Sequence, residues 1–343
     1  MGILRFLLAL SVVINHSSAI FGFYLVGGRV AVESFFIISG FYMALILSEK
    51  YKTTLQGYKF FLTNRILRIY PMYWAMLVIT FFAAVGVQFF FLKNITIAWF
   101  GYQEPISIWI AIYLVFVHIL IFGQDILLFT KYSDTLLIPP SWTLALEMMF
   151  YLIAPFLVRW KTWLLILLVG LSIGLRLILY YLGFDYEPWT YRFFPTELAF
   201  FVAGIFVFRF YQSIHSYVLL YKKVTFFALA TMIWATVFYQ YIPTENFKQW
   251  AYYALLMAAL PFIFELTKNN KKDRRIGEFS YPMYICHIFV LAFVKIVFLP
   301  FFHIPPHYFG LITAVFTVAL SYILLRYVGD PIERFRHKVL SPQ

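Results

Sequence analysis

Eleven apolar segments of 18 residues or more dominate the chain, and each is long enough to cross the roughly 30 Å hydrocarbon core of a bilayer as a helix. They lie at 3–24, 31–49, 68–92, 106–129, 142–159, 162–182, 194–211, 222–241, 248–267, 279–299 and 306–328. Only 12% of the residues are charged, against about 25% in soluble domains. The segments are too long for a transmembrane β-barrel, whose strands alternate over about ten residues. The sequence therefore predicts an all-α, polytopic integral membrane helical bundle.

Basic residues between the apolar segments indicate how the chain is threaded. Most of them fall in five stretches: 50–68, 159–161, 209–223, 268–278 and 326–338. If 106–129 does not cross the bilayer, all five stretches lie on one side, which the positive-inside rule makes the cytoplasmic side. This predicts about ten transmembrane helices, with both termini and 20 of the 27 Lys and Arg residues cytoplasmic. The net charge of +12 then reflects topology, and nucleic acid is not predicted as a partner.

Segment 106–129 is the least membrane-like of the eleven, because it contains His118, Gly123, Gln124 and Asp125. Irregular or polar segments are tolerated at membrane depth only where protein or a cavity shelters them. We therefore predict that 106–129 is a re-entrant or interfacial segment.

The composition indicates a single transmembrane domain over 1–343, with no appended soluble domain expected. One cysteine, Cys286, excludes an intrachain disulfide. The sequence has no metal-ligand motif and no P-loop, so no metal site is predicted.

Charged residues inside apolar segments are functional candidates, because a charge in the hydrocarbon core is costly. Arg5 and His16 share one face of the first predicted helix, since eleven residues make three turns, with a rise of about 16 Å. An interfacial anchor is the alternative for Arg5, and an interhelical hydrogen bond is the alternative for His16.

Residue counting places two further charges near the depth of His16. Glu147 lies about 8 Å below the outer boundary of the segment 142–159, and Arg176 lies about 21 Å above the cytoplasmic boundary of its own segment. A carboxylate beside a histidine suits general base catalysis, because it orients the imidazole and stabilises the protonated form. A structural charge network is the alternative.

Two arginines stand at the cytoplasmic start of the third apolar segment. Arg65 and Arg68 share a helix face, and Tyr70 and Trp74 follow them. Paired guanidinium groups match the geometry of phosphate oxygens. A topological signal with an aromatic interface belt is the alternative.

The predicted outer side combines carboxylates, aromatic rings and basic groups, which suit a carbohydrate acceptor but equally suit an ordinary interface belt. With Arg176, the candidate acceptor residues are Glu33, Trp142, Trp189, Arg192 and Glu197.

Five stretches together resemble acyltransferase family 3, a family of integral membrane O-acyltransferases, over nearly the whole chain. They are LRFLLALSVVINH (4–16), VAVESFFIISGF (30–41), NRILRIYPMYW (64–74), SWTLALEMMFYLIAP (141–155) and GEFSYPMYICHIFV (277–290). Each stretch alone is a weak signal, whereas their common order on one chain is specific.

The resemblance implies transfer of an acyl group, usually acetyl, from cytoplasmic acetyl-CoA to a hydroxyl of an envelope glycan at the bacterial inner membrane. His16 matches the essential histidine and Arg5 its motif partner. Arg65 and Arg68 match the donor-binding arginines, beside which we expect Tyr70 and Trp74.

Other positions carry less of the resemblance. Glu147 matches the carboxylate of its stretch, and we expect it to be catalytic together with His16. Glu33 stands where many relatives have Asp, although both side chains supply a carboxylate. Many relatives carry an extracytoplasmic esterase-like domain, which is not found before Gln343.

Direct attack of the acceptor hydroxyl on the thioester and a relay through acetyl-His16 both remain open. A lipid-linked glycan flippase or exporter, without acyl transfer, is the non-enzymatic alternative. A polyprenol-phosphate glycan ligase or polymerase is the enzymatic alternative, although its arginines would face the outer side.

Overall fold

The protein is an all-α bundle in a computed structural model that describes residues 1–90, 107–220, 222–243, 247–302, 305 and 308–339. The described residues form fifteen α-helices and no strand: α1 Gly2–His16, α2 Gly27–Glu49, α3 Leu55–Phe90, α4 Ile108–Leu120, α5 Gln124–Leu127, α6 Trp142–Leu157, α7 Thr162–Tyr181, α8 Phe194–Leu220, α9 Lys222–Val237, α10 Lys248–Thr267, α11 Lys271–Glu278, α12 Ser280–Phe293, α13 Leu299–Phe302, α14 Phe309–Leu324 and α15 Asp330–Val339. Single π-helical turns continue α12 over Val294–Phe298 and α14 over Leu325–Gly329.

Eight helical stretches within the described residues are long and apolar enough to cross a membrane. Three further apolar helices, α1, α4 and α9, are shorter than these eight, and the count of about ten crossings stays a prediction. The multi-pass helical membrane fold is thus confirmed. Helix α3 begins at Leu55, well before the predicted start at residue 68, so Arg65 and Arg68 lie within a continuous helix.

Helix α1 is shorter than predicted. The apolar segment 3–24 suggests one long span, but the helix ends at His16. Phe21, Gly22 and Leu25 all have positive φ angles, between 51° and 84°, which no helix accommodates. His16 therefore lies at a helix terminus, followed by a compact turn.

Segment 106–129 has the shape expected of a re-entrant or interfacial segment in its described part, from residue 107. Helix α4 has 13 residues, about 20 Å of rise, and so falls short of the hydrocarbon thickness. The chain turns at Ile121 and Gly123, both with positive φ, before the short helix α5.

The core lies where α2 packs against α8. A Cβ atom on Gly40 would meet the carbonyl oxygen of Phe201 at 1.9 Å, and one on Gly204 would meet that of Ile37 at 2.1 Å. The two glycines let the backbones approach closely, as small residues do in membrane helix pairs. Helix α1 packs beside this pair, between α2 and α12.

Candidate active site

Helix α1 presents Arg5 and His16 at its two ends. The carboxylate of Asp273, in α11, accepts hydrogen bonds from the backbone amides of Gly2 (2.6 Å) and Ile3 (3.0 Å), which fixes the start of the helix. Such a carboxylate satisfies free amides and complements the helix dipole. The eleven residues from Arg5 to His16 separate them by about 16 Å along the axis.

Helix α12 runs beside α1 in the same direction. Near its start, Ser280 Oγ accepts a hydrogen bond from Arg5 Nη2 at 2.8 Å. Further along, the rings of His287 and His16 lie 5.1 Å apart between centroids. Ser280, Tyr284 and His287 share a helical face by their spacing, so this face of α12 extends from the arginine to the histidine.

Arg5, Arg65 and Arg68 form a group, here called the arginine cluster. The charge of Arg68 acts on both Arg5 and Arg65. Arg65 is 94% buried, yet it makes no hydrogen bond or ion pair with the described residues, and its Nε is without a partner. Its guanidinium lies over the rings of Phe61 (5.8 Å) and Tyr151 (6.0 Å). A buried cation without a counter-ion is costly, and an anionic ligand would remove this cost.

Tyr70 and Trp74, expected beside the donor, contact the end of α4. The Tyr70 hydroxyl donates a hydrogen bond to the carbonyl oxygen of Leu120, and Trp74 Nε1 donates one to that of Ile119 at 2.9 Å. These carbonyls end α4 and lack helical partners. These hydrogen bonds fix the end of α4, and a contact of Tyr70 and Trp74 with the donor stays a prediction.

Glu147 lies apart from His16. Its Oε1 accepts hydrogen bonds from the Tyr151 hydroxyl and, at 2.9 Å, from Ser39 Oγ. Its charge acts on Arg5, and no hydrogen bond joins it to His16. The structure thus corrects the expectation of a direct Glu147–His16 pair and associates Glu147 with the arginine cluster.

The depth estimate for Glu147 counts residues from the start of α6, which lies inside the protein. Ser141 and Trp142, at its start, are 0% and 4% exposed, and Gln124 of α5 is fully buried against Ser141. The start of α6 therefore does not mark an outer membrane boundary, and the depth of Glu147 stays a prediction.

His16 is exposed and meets a second histidine. His287 is completely buried, its Nδ1 lies 2.7 Å from the carbonyl oxygen of Tyr284, and its Nε2 has no partner among the described residues. A carbonyl only accepts hydrogen bonds, so Nδ1 carries the proton and Nε2 is left as an acceptor. The stretch 277–290, which carries part of the resemblance, contains His287, but the sequence alone assigns no role to this residue.

Arg29, Glu33, Arg176 and Glu197 form a second group, here called the ion network. Arg176 Nη2 pairs with Glu197 at 2.5 Å and with Glu33 at 3.2 Å, and Arg29 Nε pairs with Glu33 at 3.2 Å. The Tyr253 hydroxyl also donates to Glu33. The side chains of Glu33, Glu197 and Arg176 are at most 8% exposed.

The ion network matches the alternative reading of Arg176 as part of a structural charge network. Its carboxylates and Arg176 are paired with one another and are shielded from solvent, and Arg176 has no contact with His16 or Glu147 in the described part of the chain. Arg29 is not among the residues predicted from the sequence, although it stands four residues before Glu33, a spacing that indicates a helical ion pair.

Arg192, Trp142 and Trp189 lie outside the ion network, and Trp189 packs against Phe129 with ring centroids 4.7 Å apart. Arg192 pairs with Glu187 at 2.6 Å and lies over the Trp142 ring at 5.0 Å. The charges of Arg192 and Glu187 also act on His16. Trp142 is buried, whereas Arg192, Glu187 and Trp189 are partly exposed. Of the predicted acceptor residues, Arg192 and Trp189 are therefore the accessible ones.

Comparison with known families identifies the chain. A family model described as an acyltransferase domain, that of acyltransferase family 3, matches residues 1–326. Comparison with curated proteins and with solved structures gave no match. The match covers all five stretches that carry the resemblance, and the chain therefore belongs to acyltransferase family 3, as a multi-pass membrane acyltransferase.

Proposed function

We propose that this acyltransferase moves an acetyl group from cytoplasmic acetyl-CoA to a hydroxyl of a cell-envelope glycan, in the bacterial cytoplasmic membrane with both termini cytoplasmic. The observation that carries the proposal is the arrangement of α1, whose two ends bear Arg5 of the arginine cluster and the exposed His16. Family membership supports acyl transfer, and the separation supports entry of donor and acceptor from opposite sides.

The arginine cluster is the proposed donor site. CoA carries several phosphate groups, and guanidinium groups bind phosphate through paired, charge-assisted hydrogen bonds. The buried and unpaired Arg65 supports an anionic ligand here. Glu147, held by Ser39 and Tyr151, lines the proposed path of the thioester from these arginines towards His16.

His16 is the proposed general base. The acceptor oxygen forms the ester bond to the acetyl carbon, the carbon–sulfur bond breaks, and the hydroxyl proton passes through His16 to the CoA thiolate. His287 takes the positioning role first expected of Glu147. A His16 N–H donated to His287 Nε2 would leave the other His16 nitrogen free to accept the proton.

Three accessible side chains of the segment 187–192 are the proposed acceptor contacts, and the charges of two of them, Arg192 and Glu187, act on His16. Arg192, Glu187 and Trp189 offer hydrogen-bonding groups and an aromatic face to a sugar. The ion network also contacts this segment. Arg29 lies over the rings of Tyr186 and Tyr191 at 5.5 and 5.4 Å, and these tyrosines are next to Glu187 and Arg192 in the chain.

Transfer of radiolabelled acetyl from acetyl-CoA to glycan in membrane vesicles tests the proposal. His16→Gln should lower the rate about 10²- to 10⁴-fold, the usual contribution of a general base. His215→Gln is the matched control, because that histidine lies on α8 and pairs with Glu265 at 3.4 Å. A near wild-type rate for His16→Gln would refute the assignment.

Two further measurements separate this proposal from the alternatives. A flippase or exporter has no need of CoA, so stabilisation of the purified protein by CoA favours the transferase. Mass spectrometry of envelope glycans from cells with and without the gene should reveal a lost ester and the sugar that carried it. Unchanged glycans would contradict the proposed acceptor class.

A further inference from the structure

We infer that Arg336, in the last helix, is a further phosphate-binding residue that completes the arginine cluster. The inference rests on the proposed function, since the ligand it names is the phosphorylated nucleotide end of the CoA donor. Arg336 lies beyond residues 1–326, which the family model matches.

Helix α15 is fixed against the part of the protein that positions Arg5. Arg275 of α11 pairs with Asp330 at the start of α15, Nη1 to Oδ1 at 2.7 Å and Nη2 to Oδ2 at 3.0 Å. Helix α11 in turn meets the start of α1, where a Cβ on Gly277 would lie 2.7 Å from the Cα of Gly2. Two parallel hydrogen bonds fix direction as well as distance, so α15 has a defined position.

Asn64 connects Arg336 to the arginine cluster. Arg336 Nε donates a hydrogen bond to Asn64 Oδ1 at 2.8 Å, and Asn64 Nδ2 donates one to the Tyr51 hydroxyl at 2.8 Å. Asn64 directly precedes Arg65 in α3. Arg336 Nη1 pairs with Glu333, whereas Nη2 makes no hydrogen bond within the described residues. The Nε and Nη1 atoms of Arg336 are thus held by protein partners, and Nη2 remains to bind a ligand.

Within the described residues, the positive charges around Arg65 are balanced only at Arg336, by Glu333. Arg336 acts electrostatically on Arg65, and Arg68 acts on both. Neither Arg65 nor Arg68 has an ion-pair partner among the described residues, and the side chain of Arg336 is only 13% exposed. Like charges held together repel unless a counter-charge lies between them, and a polyphosphate supplies several negative charges at once.

A cavity next to Tyr51 has the size and lining for the nucleoside part of such a ligand. Its volume is about 370 Å³, within the range of small-molecule sites. It is lined by Tyr51 and Tyr58 and by the cationic side chains of Lys52 and Arg159. Tyr51 therefore lines the cavity, and its hydroxyl accepts a hydrogen bond from Asn64, the partner of Arg336.

Binding of CoA to the purified full chain in phosphatidylcholine nanodiscs, measured by calorimetry, tests the inference. Arg336→Gln should raise Kd about 10- to 100-fold, the range for a lost charge-assisted hydrogen bond. Arg334→Gln is the control, because it removes the same charge from an exposed position of the same helix and should leave Kd within about twofold. Arg336→Lys keeps the charge and should give an intermediate value.

The outcomes separate this inference from the proposed function. Wild-type protein that binds no CoA overturns both. If the wild-type protein binds CoA, and the Kd of Arg336→Gln equals that of the wild type or of Arg334→Gln, only the inference is overturned. If Arg336→Gln fails to fold, the Kd of Arg336→Lys alone decides: a raised Kd supports the inference, and a wild-type Kd overturns it. An effect that appears only in nanodiscs with phosphatidylglycerol would assign Arg336 to lipid headgroups and overturn the inference.

Discussion

Replacing Arg176 by Met would leave two carboxylates buried side by side. Glu197 would lose its 2.5 Å ion pair and Glu33 its 3.2 Å pair, while Arg29 and Tyr253 would still contact Glu33. The second oxygen of Glu197 has no partner even in the intact network. Removing one partner of a buried pair costs about 3–5 kcal/mol, because the remaining charge is left without compensation. We expect Arg176→Met to lower the free energy of unfolding by that amount.

Glu187→Gln is the control, because its ion pair with Arg192 is similar in length but lies at the surface. The 2.6 Å pair has side chains that are 34% and 23% exposed, so its loss should cost at most about 1 kcal/mol. Both variants can be unfolded with sodium dodecyl sulfate in mixed micelles and followed by tryptophan fluorescence. A cost for Arg176→Met no larger than that for Glu187→Gln would refute the reasoning.

A double-mutant cycle with Glu197→Gln sharpens the same prediction. Neutralising Glu197 removes the stranded charge, so Arg176→Met should cost less in the Glu197→Gln background, by about 0.5–3 kcal/mol. Activity distinguishes a structural role from acceptor binding. A structural Arg176 lowers the amount of folded enzyme and leaves KM for the acceptor unchanged. A folded variant with a raised acceptor KM would instead support the original expectation that Arg176 binds the acceptor.

Three further substitutions test the helix packing and the proposed site. Gly204→Ala should abolish folded protein in size-exclusion chromatography, because its Cβ would meet the carbonyl oxygen of Ile37 at 2.1 Å, whereas Gly170→Ala, in open space, should be tolerated. His287→Gln should lower kcat and displace its pH profile while leaving Kd for CoA unchanged, since His287 faces the proposed base; an unaltered profile would exclude positioning. Glu147→Gln should change Kd for CoA and leave the pH profile of kcat in place. An unchanged Kd with a displaced pH profile would instead support the original expectation that Glu147 acts together with His16.

The apolar segments predict the helices well, and in places to within a residue. The segment 248–267 is α10, and 162–182 differs from α7 only at its last residue. The agreement has a physical cause: a segment in hydrocarbon must satisfy its backbone hydrogen bonds internally, so a long apolar run leaves little choice but a helix. The same reasoning fails beyond His16, where the apolar chain is turned back by residues with positive φ.

The contacts between helices could be predicted less well from the sequence. Residue counting gave Glu147 the depth of His16, because nothing in the local pattern shows that the segment before α6 is folded into the protein. The ion network joins α2, α7 and α8, and the sequence offered only the i, i+4 spacing of Arg29 and Glu33 as a signal. Which buried charges pair depends on how the helices pack, and the periodicity of the sequence does not predict that packing.

The parallel packing of α1 and α12 constrains the chemistry more than either helix alone. Arg5 meets Ser280 at one end, and His16 meets His287 at the other. A thioester anchored by its phosphates at the arginines must therefore cover about 16 Å to reach the proposed base, whereas the glycan never needs to approach the arginines. Direct transfer then requires both substrates to be present together. A relay through acetyl-His16 lets CoA leave first and gives ping-pong kinetics, so initial-rate patterns with varied acetyl-CoA distinguish the two routes left open by the sequence.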